Sequence, residues 1–125
     1  MNFFKRREIL KKTNFLDLIP LRVHGHRIGE DGLVNVLIPK FGNQRFARWF
    51  IPNRKPTEIT IKLEKFGSSA WQAMDGKRTM QEICDILVEQ YGDEIQPVTE
   101  RMSKYLSILY HQDHVTFAQL IDTDK

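Results

Sequence analysis

The sequence predicts an α+β fold, with N-terminal antiparallel β-strands followed by a three-helix bundle in the order of a winged helix-turn-helix. Three observations carry that expectation. Residues 33–64 hold two apolar, β-branched runs of strand length, the second strictly alternating. Residues 66–109 then switch to the spacing of amphipathic helices, with recognisable start and stop signals. Val115-Thr116-Phe117 returns as a short closing strand.

Taken in order, Leu18 to Val23 reads as extended, and His24 to Gly32 as a turn region containing Gly25, Gly29 and Asp31-Gly32. Asp-Gly between apolar runs is a hairpin signal. Leu33 to Ile38 reads as a strand stopped by Pro39. Glu58 to Glu64 is the clearest strand: Ile59, Ile61 and Leu63 share one face, expected to meet a core, and Thr60, Lys62 and Glu64 share the other. Phe66, Ala70, Trp71 and Met74 recur at helical spacing, and Asp75-Gly76 ends that helix. Thr79-Met80-Gln81-Glu82 has the pattern of a capping box. Behind it, Met80, Ile83, Cys84, Leu87, Val88 and Tyr91 form one stripe, with Gly92 as the stop. A third helix is expected to begin at Pro97, a residue suited to the first helical position, with Val98, Met102, Tyr105, Leu106 and Leu109 inward. The residues after the closing strand read as frayed.

A chain of 125 residues has the size of one domain plus an arm. The expected division is a basic N-terminal arm over 1–17 and a single domain over 18–120. The arm mixes Lys5, Arg6, Arg7, Lys11 and Lys12 with Phe3, Phe4, Ile9 and Leu10, a composition compatible with docking on the domain or with a lipid surface. It has no apolar run behind its charges, so it does not read as a secretory signal. In residues 40–57, Phe41, Phe46, Trp49 and Phe50 alternate with Arg45, Arg48 and Arg54. Such interleaving can contact nucleic acid, but a connection that tucks its aromatics under a sheet explains the same pattern and is the favoured reading.

Composition excludes several classes. No apolar run approaches the ~20 residues of a membrane span. A single cysteine makes no internal disulfide and no thiolate zinc site, which points to a cytoplasmic chain. Enzymatic activity is not expected, because GxGxxG, P-loop, GxSxG and HExxH patterns are all missing. Cys84 lies on an apolar stripe, where burial would raise its thiol pKa and leave it inert. His24/His26 and His111/His114 have spacings a metal can use, but each pair falls short of three or four convergent ligands. Neither a metal nor a cofactor is therefore expected.

A winged helix can bind DNA, and that is the alternative reading. Residues 66–117 weigh against it. Lys77, Arg78, Arg101 and Lys104 face eight carboxylates there, and net negative charge repels phosphate. Nucleic acid would have to engage the basic first half of the chain instead.

Phe66-Gly67-Ser68-Ser69-Ala70-Trp71, followed by Met74-Asp75-Gly76-Lys77-Arg78-Thr79-Met80-Gln81-Glu82-Ile83, resembles the PqqD-like family. That family's core is a strand, a Gly-x-x-x-Trp helix and then Asp-Gly-x-Arg-Thr-x-x-Glu-Ile. Leu87 to Tyr91-Gly92 and Val115–Phe117 extend the likeness, which covers roughly residues 58–117. The resemblance implies a small winged-helix domain with a three-stranded N-terminal sheet, and binding in place of catalysis. It implies a peptide chaperone, or precursor recognition element. Such a protein holds the leader of a ribosomally made peptide and presents it to a radical S-adenosylmethionine enzyme, as in pyrroloquinoline quinone (PQQ) biosynthesis. The leader would add as a strand beside Glu58, Ile59, Thr60, Ile61, Lys62 and Leu63 and pack on the third helix, where Arg101, Lys104, Tyr105 and Ile108 are the candidate contacts. The chain departs from a minimal member in its long segment before residue 58.

Overall fold

The computed structural model describes Leu10 and residues 13–39 and 58–122. The rest of the basic arm and the Arg/aromatic connection over 40–57 lie outside the described residues. The elements run β1 (Pro20–Arg22), β2 (Gly25–Ile28), β3 (Val34–Pro39), β4 (Glu58–Lys62), α1 (Lys65–Ala73), α2 (Met80–Tyr91), α3 (Val98–His111), β5 (Val115–Phe117) and α4 (Ala118–Asp122). The fold class is α+β, with antiparallel strands preceding the helices, as expected. Two compact units make it up: His24–Glu64, and Met1–Val23 together with Lys65–Lys125.

The first unit is a three-stranded antiparallel sheet in the order β2-β3-β4. Asp31-Gly32 does make the hairpin turn. Gly32 adopts φ +81°, a conformation that favours glycine, and Asp31 Oδ1 accepts the Leu33 N–H at 3.0 Å. Before this turn, however, the chain is a strand where a turn region was expected. Gly25–Ile28 pairs with β3, Gly25 opposite Leu37 and Ile28 opposite Val34. One glycine and two polar residues among its four positions hid it, because its order comes from the β3 ladder and not from intrinsic propensity.

The second unit is helical. β1 pairs antiparallel with the closing strand β5, Pro20 opposite Phe117 and Arg22 opposite Val115. Met80, Ile83, Cys84 and Leu87 line the buried side of α2, and Val98, Met102, Leu106 and Leu109 that of α3, as their periodicity predicts. Trp71 and Met74 are fully buried beside them. The capping box is formed: Thr79 accepts the Glu82 N–H at 3.3 Å, and Glu82 Oε1 accepts the Thr79 N–H at 3.1 Å. Pro97 sits one residue earlier than expected, at the N-cap of α3. Directly after β5 the chain is ordered where fraying was expected; residues 123–125 lie outside the described residues. This ordered stretch forms α4, held by the buried Leu120 and by Gln119, whose amide donates to the Asp17 carbonyl at 2.7 Å.

Candidate functional site

β4 is an edge strand. Among the described residues its outer border carries no strand partner. The register fixes which backbone groups face that border. Leu63 N–H donates to the Val34 carbonyl at 2.8 Å, so Leu63 and Val34 form a hydrogen-bonded pair. The same antiparallel register pairs Ile61 with Val36 and Ile59 with Ile38. Hydrogen bonding alternates along such a ladder, so Ile59, Ile61 and Leu63 turn their N–H and C=O groups toward β3. Thr60 and Lys62 turn theirs outward. Pro39 fits this parity, because it stands opposite Glu58 in a pair that needs no N–H from β3.

The side chains of β4 depart from expectation. Ile59, Ile61 and Leu63 share a face, but only Leu63 is buried; Ile59 is 47% exposed and Ile61 38%. An edge strand has a neighbour on one side only, so apolar residues there keep one flank open. The cross-strand neighbours Val34 and Val36 are buried. The apolar face is thus closed at the Leu63 end and open at the Ile59 end. On the opposite face Lys62 reaches Asp31 at 2.6 Å, with both side chains solvent-exposed. The Lys62 ammonium and the Leu33 N–H hold the Asp31 carboxyl below its usual range.

Arg101, Lys104, Tyr105 and Ile108 fall at i, i+3, i+4 and i+7 and so share one stripe of α3. Arg101, Lys104 and Ile108 are exposed, Ile108 to 56%. Tyr105 is half-buried, and its hydroxyl donates to the Gly67 carbonyl of α1 at 3.1 Å. Arg101 lies over the Phe66 ring at 5.7 Å, and Lys65 lies over the same ring at 5.0 Å. Tyr91 meets that ring edge-on at 4.9 Å, and Lys65 is paired with Glu94. Sequence reasoning missed this cluster, because its members come from separate segments of the chain. Lys104 also borders an open groove of about 570 Å³ that Thr99, Glu100 and Ser103 line together with Phe15 and Leu16. The β4 residues belong to one compact unit and the α3 stripe to the other.

The motif residues of the sequence turn out to build the scaffold. A Cβ on Gly67 would come within 3.1 Å of the Tyr105 hydroxyl, so glycine permits the close approach of α1 and α3. Asp75 Oδ1 accepts the N–H groups of Lys77 and Arg78, each at 2.9 Å, and Oδ2 meets the Arg78 guanidinium at 3.1 Å. The Arg78 N–H first, the Lys77 N–H next and then the Arg78 charge hold the Asp75 carboxyl below its ordinary value, against a smaller opposing effect of burial. A carboxyl with a depressed folded-state pKa contributes stability above its unfolded value near ~3.9, and loses it as pH falls through the folded value. Asp75→Asn is therefore expected to lower the urea midpoint at about pH 5, with the gap to the parent narrowing toward about pH 3. A gap independent of pH would remove this role.

Cys84 is buried, and burial, with a smaller contribution from the Asp85 charge, pushes its thiol up. Among the described residues no group of three His, Cys, Asp or Glu side chains is placed to hold a metal, and His26 sits in β2 and not in a turn. No described helix is long and apolar enough to cross a membrane. Glu82, Asp85 and Glu89 lie exposed on α2, a surface unsuited to phosphate.

Residues 55–115 match the model of a family described as coenzyme PQQ synthesis protein D (PqqD). The stretch runs from just before β4 through α1, α2 and α3 to the first residue of β5. No curated protein and no solved structure gives a significant match. This match supports a peptide-binding protein of the kind associated with PQQ biosynthesis. Across 55–115 the chain is a PqqD-like protein.

Proposed function

We propose that this chain is a non-catalytic peptide chaperone. It holds the leader of a ribosomally made precursor as an added strand on β4 and presents it to a radical S-adenosylmethionine enzyme in the cytoplasm. The observation that supports this most directly is the parity of β4, whose Thr60 and Lys62 N–H and C=O groups face a border with no strand partner among the described residues. Unpaired edge groups accept an extended chain through main-chain bonds, and neighbouring side chains add selectivity. Glu58, Ile59, Thr60, Ile61, Lys62 and Leu63 form the receiving strand. Arg101, Lys104, Tyr105 and Ile108 on α3 supply a second contact surface, with Arg101 and Lys104 suited to acidic residues of the leader.

The test is amide hydrogen exchange with the leader peptide encoded beside this gene. The Ile61 N–H is already held by β3, and those of Thr60 and Lys62 face the border that has no strand partner among the described residues. Leader addition is expected to slow exchange selectively at Thr60 and Lys62. Protection confined to residues away from β4 would overturn the assignment.

A further inference from the structure

Strand addition leaves open which peptides are accepted, and the two faces of β4 differ in what they offer a neighbour. We infer that the guest is an extended segment of alternating apolar and polar residues, read through the apolar ones that land beside Ile59 and Ile61. This rests on the strand-addition reading above and deepens it.

Side chains of adjacent strands stand on the same face at each paired position, whether the strands run parallel or antiparallel. On one face the guest meets Ile59 and Ile61, apolar, partly exposed and continued across the ladder by Ile38 and Val36. An apolar guest residue there covers surface that the free protein leaves in water. On the other face it meets Thr60 and Lys62. The Lys62 ammonium is already paired with Asp31 at 2.6 Å, so this face presents a neutralised pair in place of a free cation. A guest carboxylate gains little there, and an apolar residue would lie against charged groups. Selection therefore falls on the Ile59/Ile61 face, and shifting the guest by one residue inverts its fit.

The experiment uses the full chain and two synthetic peptides of about ten residues, the span of a long strand. Both have one composition of valine, serine and glutamate. The first places valine at every second position; the second places the valines at helical spacing. The alternating peptide is expected to bind ~10-fold more tightly, a difference of about 1.4 kcal/mol. In the Ile59→Thr/Ile61→Thr variant, which changes only side chains already partly in solvent, that ratio is expected to fall toward one. Protection of the Thr60 and Lys62 amides by the alternating peptide should persist. Equal affinities in the parent protein, with both peptides protecting those amides, overturn the alternation rule and leave strand addition standing. If neither peptide protects Thr60 and Lys62, strand addition falls and the rule with it.

Discussion

Thr60→Pro is expected to weaken leader binding at least ~10-fold while leaving the fold and its melting temperature nearly unchanged. Proline lacks the N–H that Thr60 turns toward the open border, and its ring stands where an incoming strand would run. The ladder to β3 does not use the Thr60 N–H, since the paired positions are Ile59, Ile61 and Leu63. A proline whose missing donor faces outward is tolerated on an edge strand. Ile61→Pro is the counter-variant. It deletes a bond within the sheet and is expected to lower stability as well as binding. The pair separates a border that receives a guest from one that merely ends a sheet. If Thr60→Pro binds the leader like the parent protein, with both proteins equally stable, the guest does not pair with β4.

What was legible in the sequence follows from where the information resides. The α2 and α3 stripes could be read because helical burial is periodic within one segment, and Thr79/Glu82 because a capping box is local. β2 could not be read, since Gly25–Ile28 becomes a strand only against β3. The alternation of β4 identified the shared face of Ile59 and Ile61, but not its exposure, which depends on β4 being the last strand of its sheet. The outward parity of Thr60 and Lys62 was out of reach for a related reason. Alternation says which side chains go together, whereas the Leu63–Val34 bond says which backbone groups are spent. For Tyr105 the sequence allowed both a core and a contact position. Its bond to the Gly67 carbonyl puts the hydroxyl to use inside the helical unit and leaves Arg101, Lys104 and Ile108 as the freely exposed part of the stripe.

The same distinction predicts how the motif that marks the family behaves when it is broken. Trp71 is fully buried in the helical unit, and Trp71→Ala is expected to cost about 3–5 kcal/mol through lost burial and the cavity left behind. That is a large share of the ~5–15 kcal/mol that holds a typical domain folded, so much of the variant should be unfolded near room temperature. Gly76 is constrained in a different way. It adopts φ +79°, and a Cβ there would lie 2.9 Å from Leu21 Cδ1, so even alanine meets both an unfavourable backbone and a clash. Neither residue lies on β4 or on the α3 stripe. The milder Trp71→Phe keeps most of the buried volume and should remain folded, with a reduced urea midpoint and the parent's leader affinity. Denaturation and leader titration on the same samples give both quantities. A folded Trp71→Phe protein that no longer bound leader would show that Trp71 acts in recognition. Reduced stability with unchanged affinity would show that the motif builds the scaffold and that the contacts lie elsewhere.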